Sequence, residues 1–248
     1  MAGVDLHRQI ILHTKTNGTD QDHINVVHLS YASLISDRTD YLLGTAADHP
    51  GHAMAQAVEA GFQAAQQYSA SSVAGVPCNT FHASEIFDPY EQLLSQTCPD
   101  LVLVHMLRET IAHMQEIAPD LKRAGLYSTT GTRNSRVWHA LLEERGIEVV
   151  EVPEELQDRL HQDIYHPKWG VKAISKTSDR VKNDFDGFSQ MLLQDNAEAI
   201  ILGCTELSMV FPENVFLGIP VIDPMTALAR ALIREANPSK LRPLQEIN

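Results

Sequence analysis

Apolar and polar positions alternate along the chain in two rhythms, one helical and one strand-like. Leu6, Ile10 and Ile11 recur at helical spacing within residues 5–15, and Asn17-Gly18 supplies a stop, so the pattern predicts a helix at the start. Residues 25–30, Asn-Val-Val-His-Leu-Ser, are β-rich and short enough for a buried strand. An Ala- and Gln-rich stretch over 52–68 favours helix by propensity, and 73–76 reads as the next strand. The alternation then continues with a helix over 83–96, a strand at 101–104, a helix over 107–118 ending before Pro119, and a strand at 125–127. After a hydroxyl-rich loop at 128–132, a helix is expected over 135–144, closed by Gly146, with a strand at 148–150. Helices over 154–165 and 178–195 flank an irregular loop, 165–172, marked by Pro167 and Gly170. A strand at 199–202, a short strand at 220–223 and a helix over 225–235 complete the order.

Strands alternating with helices imply an α/β fold with parallel sheets flanked by helices. Ligands of such sheets bind beyond the carboxyl ends of the strands, which is where Cys78, Thr129 and Cys204 fall. The stretches Gly75-Val76-Pro77-Cys78-Asn79-Thr80 and Ile201-Leu202-Gly203-Cys204-Thr205-Glu206 share one design: an apolar run, a cysteine, then small hydrogen-bonding residues. They lie about half a chain length apart, as expected if two similar α/β lobes each offered one thiol to a shared cleft.

Composition narrows the classes. A chain of 248 residues with 44% hydrophobic residues can bury a substantial core. No apolar run approaches the ~18 residues of a membrane span, and Met1-Ala2-Gly3-Val4-Asp5 does not open a secretory signal, so a cytoplasmic protein is expected. Three cysteines without a CxxC pair fit reduced thiols; Cys98, in Gln96-Thr97-Cys98-Pro99, lacks the context of the other two and reads as a small buried hydrophobe. A net charge of −13 argues against wrapping nucleic acid but not against a small acidic ligand, which feels the local field of its pocket. Neither a GxSxG elbow nor a phosphate or dinucleotide loop is present, and Asp20-Gln21-Asp22-His23 reads as an Asx-rich turn, so neither metal nor cofactor is expected.

Two thiols on opposite faces of one carbon solve the stereochemical problem of inverting an α-amino acid without a cofactor. One, as thiolate, removes the α-proton, and the other, as thiol, returns a proton from the far side. Asn79, Thr80 and Thr205 supply donors for a carboxylate beside them.

Pro77-Cys78-Asn79-Thr80 with His82, and Gly203-Cys204-Thr205-Glu206-Leu207, resemble the two cysteine motifs of the aspartate/glutamate racemases, within the wider Asp/Glu/hydantoin racemase group. The similarity extends through Asp20–Ile24, Asp37-Arg38-Thr39, Gly170-Val171-Lys172-Ala173 and Ile222-Asp223-Pro224-Met225, nearly the whole chain. By that resemblance Cys78 and Cys204 are the catalytic pair, and Asn79, Thr80, Thr129 and Thr205 hold the α-carboxylate and amino group. Arg38 and Lys172 are the cations for the side-chain carboxylate, with Lys168 a nearby decoy, while His82 and Glu206 play supporting parts. It also implies a homodimer and two lobes, residues 1–105 plus 208–248 and residues 106–207. The family opens with a strand and a Gly-rich loop, whereas this chain begins at Met1-Ala2-Gly3 with the helix, so the first lobe is expected to lack that strand. Three other readings stay open: hydantoin racemase, maleate isomerase or decarboxylase chemistry within the group. A homologue that binds an amino acid without turning it over is a fourth.

Overall fold

A computed structural model describes residues 1–68, 71–174 and 177–244. Helix α1 (Ala2–His13) opens the chain and is followed by α2 (Arg38–Leu42) and α3 (Pro50–Gln66). Strand β1 (Ser72–Gly75), α4 (Ser84–Thr97), β2 (Leu101–Val104) and α5 (Met106–Ile117) come next. The middle of the chain carries β3 (Arg123–Ser128), α6 (Thr130–Ser135), α7 (Val137–Glu143), β4 (Glu148–Val150), α8 (Glu154–Tyr165) and α9 (Asp179–Gln194). It closes with β5 (Ala199–Gly203), β6 (Val215–Phe216), β7 (Ile219–Ile222) and α10 (Pro224–Ala236).

The described strands form two sheets. In the smaller, β1 pairs with β2 in parallel. The larger runs β4-β3-β5-β7-β6, parallel except where β6 meets β7. Its central strand shows why the sheet is covered on both faces: every residue of β5 is buried. Ala199 and Ile201 enter the core beneath α5 and α10, while Ile200 and Leu202 enter a second core with Phe185 and Leu192 of α9. That is the double burial that makes parallel strands read as unbroken apolar runs. A third core, around Phe81, Phe87 and Tyr90, lies between α3, α4 and the smaller sheet.

Three expectations need correction. Expected in the first lobe, β7 instead extends the larger sheet beside β5, while α10 packs against α1, α5 and β1. The helix expected over 135–144 is two helices, α6 and α7, joined at Arg136, whose φ of 53° no α-helix accommodates. Most of the supposed loop at 128–132 is thus the cap and first turn of α6, with Thr129 as the N-cap. Residues 25–30 form no strand, and among the described residues their backbone groups make no main-chain hydrogen bond. The segment runs over helices with only Val26 partly buried, Val27 and Leu29 staying exposed: a Cβ on Gly3 of α1 would meet the His28 ring at 2.6 Å, and one on Gly61 of α3 would meet Leu29 at 2.9 Å. Without a strand edge alongside, propensity alone builds no sheet.

Candidate active site

The two cysteines, Arg38 and Thr129 are each delivered by the end of an element. Cys78 follows β1, and its carbonyl accepts a 2.9 Å hydrogen bond from Nδ1 of His82. The other nitrogen, Nε2, accepts the Met106 N–H at 3.2 Å, so His82 is neutral and ties the Cys78 turn to the start of α5. Burial pushes its pKa down to about 3, helped by neighbouring His105. Behind the cysteine rather than facing the cavity, His82 is a strut.

Cys204 follows β5, where the chain passes so close to β3 that a Cβ on Gly203 would lie 2.5 Å from the Tyr127 carbonyl oxygen. Its thiol donates to Oε2 of Glu206 at 3.1 Å. The same oxygen receives the Thr205 hydroxyl at 3.2 Å and lies 3.2 Å from Nζ of Lys172, so three donors converge on one atom. Burial, then the Glu206 carboxylate, push the Cys204 thiol well above its usual range. Glu206 itself is held below the usual carboxylate range: burial opposes its charge, but Lys172 and the Cys204 hydrogen bond outweigh burial. Desolvation works against the Lys172 charge, but the groups around it, the Glu206 carboxylate among them, outweigh burial and raise its pKa.

Arg38 opens α2. Asp37 caps that helix, accepting the N–H groups of Thr39 at 2.8 Å and Asp40 at 3.1 Å, and also accepts the Tyr165 hydroxyl at 3.2 Å. The Cys78 sulfur faces the Arg38 guanidinium, and with Asp37 it outweighs burial and raises the arginine's pKa. Thr129 caps α6, and Thr132 bridges the lobes, its hydroxyl 2.7 Å from that of Thr80 and 3.1 Å from that of Thr129.

These groups surround a cavity of about 10 Å³ lined by both cysteines, Arg38, Lys172 and Asn79, among others. Nine of the ten expected site residues line it: Arg38, Cys78, Asn79, Thr80, Thr129, Lys172, Cys204, Thr205 and Glu206. Asn79 is 2% exposed, and neither end of its amide has a hydrogen-bond partner. Buried amides are rarely left so unless a ligand satisfies them. Sequence reasoning missed Tyr165 as a lining residue. Its signal was its place at the end of α8, with an apolar ring to pack and a polar tip to satisfy. Lys168, the decoy, is not among the lining residues. Among the described residues, no three His, Cys, Asp or Glu side chains are grouped to hold a metal ion, and no helix is long and apolar enough to cross a membrane.

The model of a family described as Asp/Glu/Hydantoin racemase matches residues 2–232. Among solved structures, the chain is similar to an aspartate racemase from Picrophilus torridus, with TM-score 0.74, 22% identity, and 99% of this chain and 92% of that one covered. A putative Asp/Glu racemase from Yersinia pestis gives TM-score 0.68 at 20% identity, covering 95% of this chain and 94% of that one. Glutamate racemase from Francisella tularensis, solved in complex with D-glutamate, gives 0.53 at 16% identity over 88% of this chain and 70% of that one. At these identities the structural likeness establishes the two-lobed α/β architecture.

Proposed function

The chain belongs to the Asp/Glu/hydantoin racemase family, and on that premise we propose that it racemises an acidic amino acid, without a cofactor, by two-base catalysis at Cys78 and Cys204. The observation that carries the reading is the single cavity lined by both cysteines, with Arg38 and Lys172 in the same wall.

In this mechanism the Cys78 thiolate takes the α-proton, and the electrons of the Cα–H bond pass into the α-carboxylate, giving an enediolate. The Cys204 S–H then delivers its proton to the opposite face, leaving a Cys204 thiolate and a Cys78 thiol. Starting from the other enantiomer, the roles reverse. Hydroxyls of Thr80, Thr129 and Thr205 and the amide of Asn79 hold the α-carboxylate and amino group, donating to the oxygens where charge accumulates. Arg38 and Lys172 take the distal carboxylate, which selects aspartate or glutamate over neutral side chains. Glu206 keeps the proton on Cys204 until it is needed. The reading extends, through the family resemblance, to a homodimer in the cytoplasm.

Proton NMR in deuterated buffer tests it. With L- or D-aspartate or glutamate and no added cofactor, the α-proton signal is expected to disappear as the enantiomer inverts, and both changes are expected to vanish in Cys78→Ser and in Cys204→Ser. A folded protein that leaves all four α-proton signals intact would falsify the reading.

A further inference from the structure

Asp163, on α8, is completely shielded from solvent, and neither carboxyl oxygen has a donor. Asp184 of α9 faces it, 7% exposed, with its two oxygens taken by Nε and Nη2 of Arg159. A carboxyl buried with no donor favours its neutral form, and the Asp184 carboxylate, whose charge acts on it across the α8–α9 contact, is the acceptor within reach of a proton on Asp163. Of the cations nearby, Arg159 on α8 is engaged by Asp184, and Arg180 on α9 lies over the Trp169 ring, 4.2 Å from its centroid. Asp163 therefore has no cation of its own.

The main chain at this point carries the Lys172 loop. Val171 N–H donates to the Asp163 carbonyl at 2.9 Å, and Lys172 N–H to the Ile164 carbonyl at 3.1 Å. The loop is folded so tightly onto α8 that a Cβ on Gly170 would lie 2.5 Å from the His166 nitrogen and 2.8 Å from the Ile164 oxygen. Whatever fixes this turn of α8 fixes the direction of Lys172.

We propose that Asp163 is a proton-carrying positioning residue: protonated, it donates to Asp184, clamps α8 to α9 and holds the loop that aims Lys172 into the cavity, and loss of that proton releases the loop. The inference rests on the reading of Lys172 as the cation for the distal carboxylate. Burial and then the Asp184 charge raise the pKa of Asp163 to about 7, while Arg159, against burial, holds Asp184 below the usual range. The shared proton thus sits on Asp163 and leaves near neutrality, when two unscreened like charges face each other across the helix pair.

The full-length protein and Asp163→Asn, whose amide N–H stands permanently in place of the proton, are compared below and above neutrality. Two quantities are read: amide hydrogen exchange over the 166–172 loop, with β5 as internal reference, and KM and kcat for the acidic amino acid. Above neutrality the wild-type loop is expected to exchange several-fold faster than the variant's, with β5 unchanged and the two proteins alike below neutrality. KM is expected to rise several-fold with pH in wild type only, at unchanged kcat. Loop exchange that follows the same pH course in both proteins overturns the proposal. If exchange separates the two while KM does not, the clamp stands and the substrate role of Lys172 falls. Should no acidic amino acid turn over, the exchange comparison alone decides.

Discussion

Oε2 of Glu206 receives the Cys204 thiol, the Thr205 hydroxyl and the Lys172 ammonium, and this gives the two thiols unequal surroundings. Cys204 has a buried carboxylate for a neighbour, Cys78 a guanidinium. Enantiomers have equal free energy in an achiral solvent, so kcat/KM must be the same in both directions and the inequality can appear only in kcat and KM separately. Glu206→Gln is expected to lower kcat/KM by about 10²-fold, the lower end of what a positioned acid–base group contributes, and to change the ratio of the two kcat values. Progress curves from each enantiomer check this; an unchanged ratio would assign Glu206 to packing alone. Much of this arrangement was legible in the chain, because each cysteine stands directly after an apolar run and its donors are adjacent in sequence. Thr132 and Tyr165 were not, since each matters only through a partner brought up by tertiary folding: Thr80 lies 52 positions away from one and Asp37 128 from the other.

At the scale of elements, α2 and α6 set where Arg38 stands. Gly131, in the first turn of α6, lets that helix approach so closely that a Cβ there would sit 2.6 Å from the Thr39 hydroxyl and 2.9 Å from its Cα. Gly131→Ala is expected to push α2 away, destabilising the fold by about 1–3 kcal/mol and raising KM more than it lowers kcat, as urea unfolding and steady-state kinetics would report. Loss of the cap in Asp37→Ala is expected to cost about 1 kcal/mol from the helix alone, and more in substrate affinity, since Tyr165 loses its acceptor at the same time. An Asp37→Asn variant that binds as weakly as Asp37→Ala would show that charge, rather than hydrogen bonding, holds Arg38. Long elements such as α8, expected at 154–165 and found at Glu154–Tyr165, declare themselves by sustained periodicity. Five-residue α2 is too short to show a period, and the break at Arg136 is a backbone conformation that no residue pattern announces. Residues 25–30 show a different limit: composition reports what a segment prefers, while a ladder depends on a neighbour elsewhere in the chain.

Taken as a whole, the molecule buries histidines in the neutral state. Desolvation by burial, with nearby positive groups, lowers His13 to about 4, His82 to about 3 and His105 to about 4. Their unfolded pKa is near 6.5, so between these values the unfolded chain binds more protons than the folded one. Stability is therefore complete above pH ~6.5 and is lost as pH falls towards ~4, by several kcal/mol in sum. Urea midpoints that stay level over this range would show that the histidines are hydrated. The space between the lobes at the two cysteines is narrow. About 10 Å³ is room for a single water, and an amino acid is far larger. Under the proposed chemistry the walls must part to admit an amino acid, so added viscogen is expected to slow kcat even where proton transfer is fast, and a kcat indifferent to viscosity would show that the walls part faster than the chemistry.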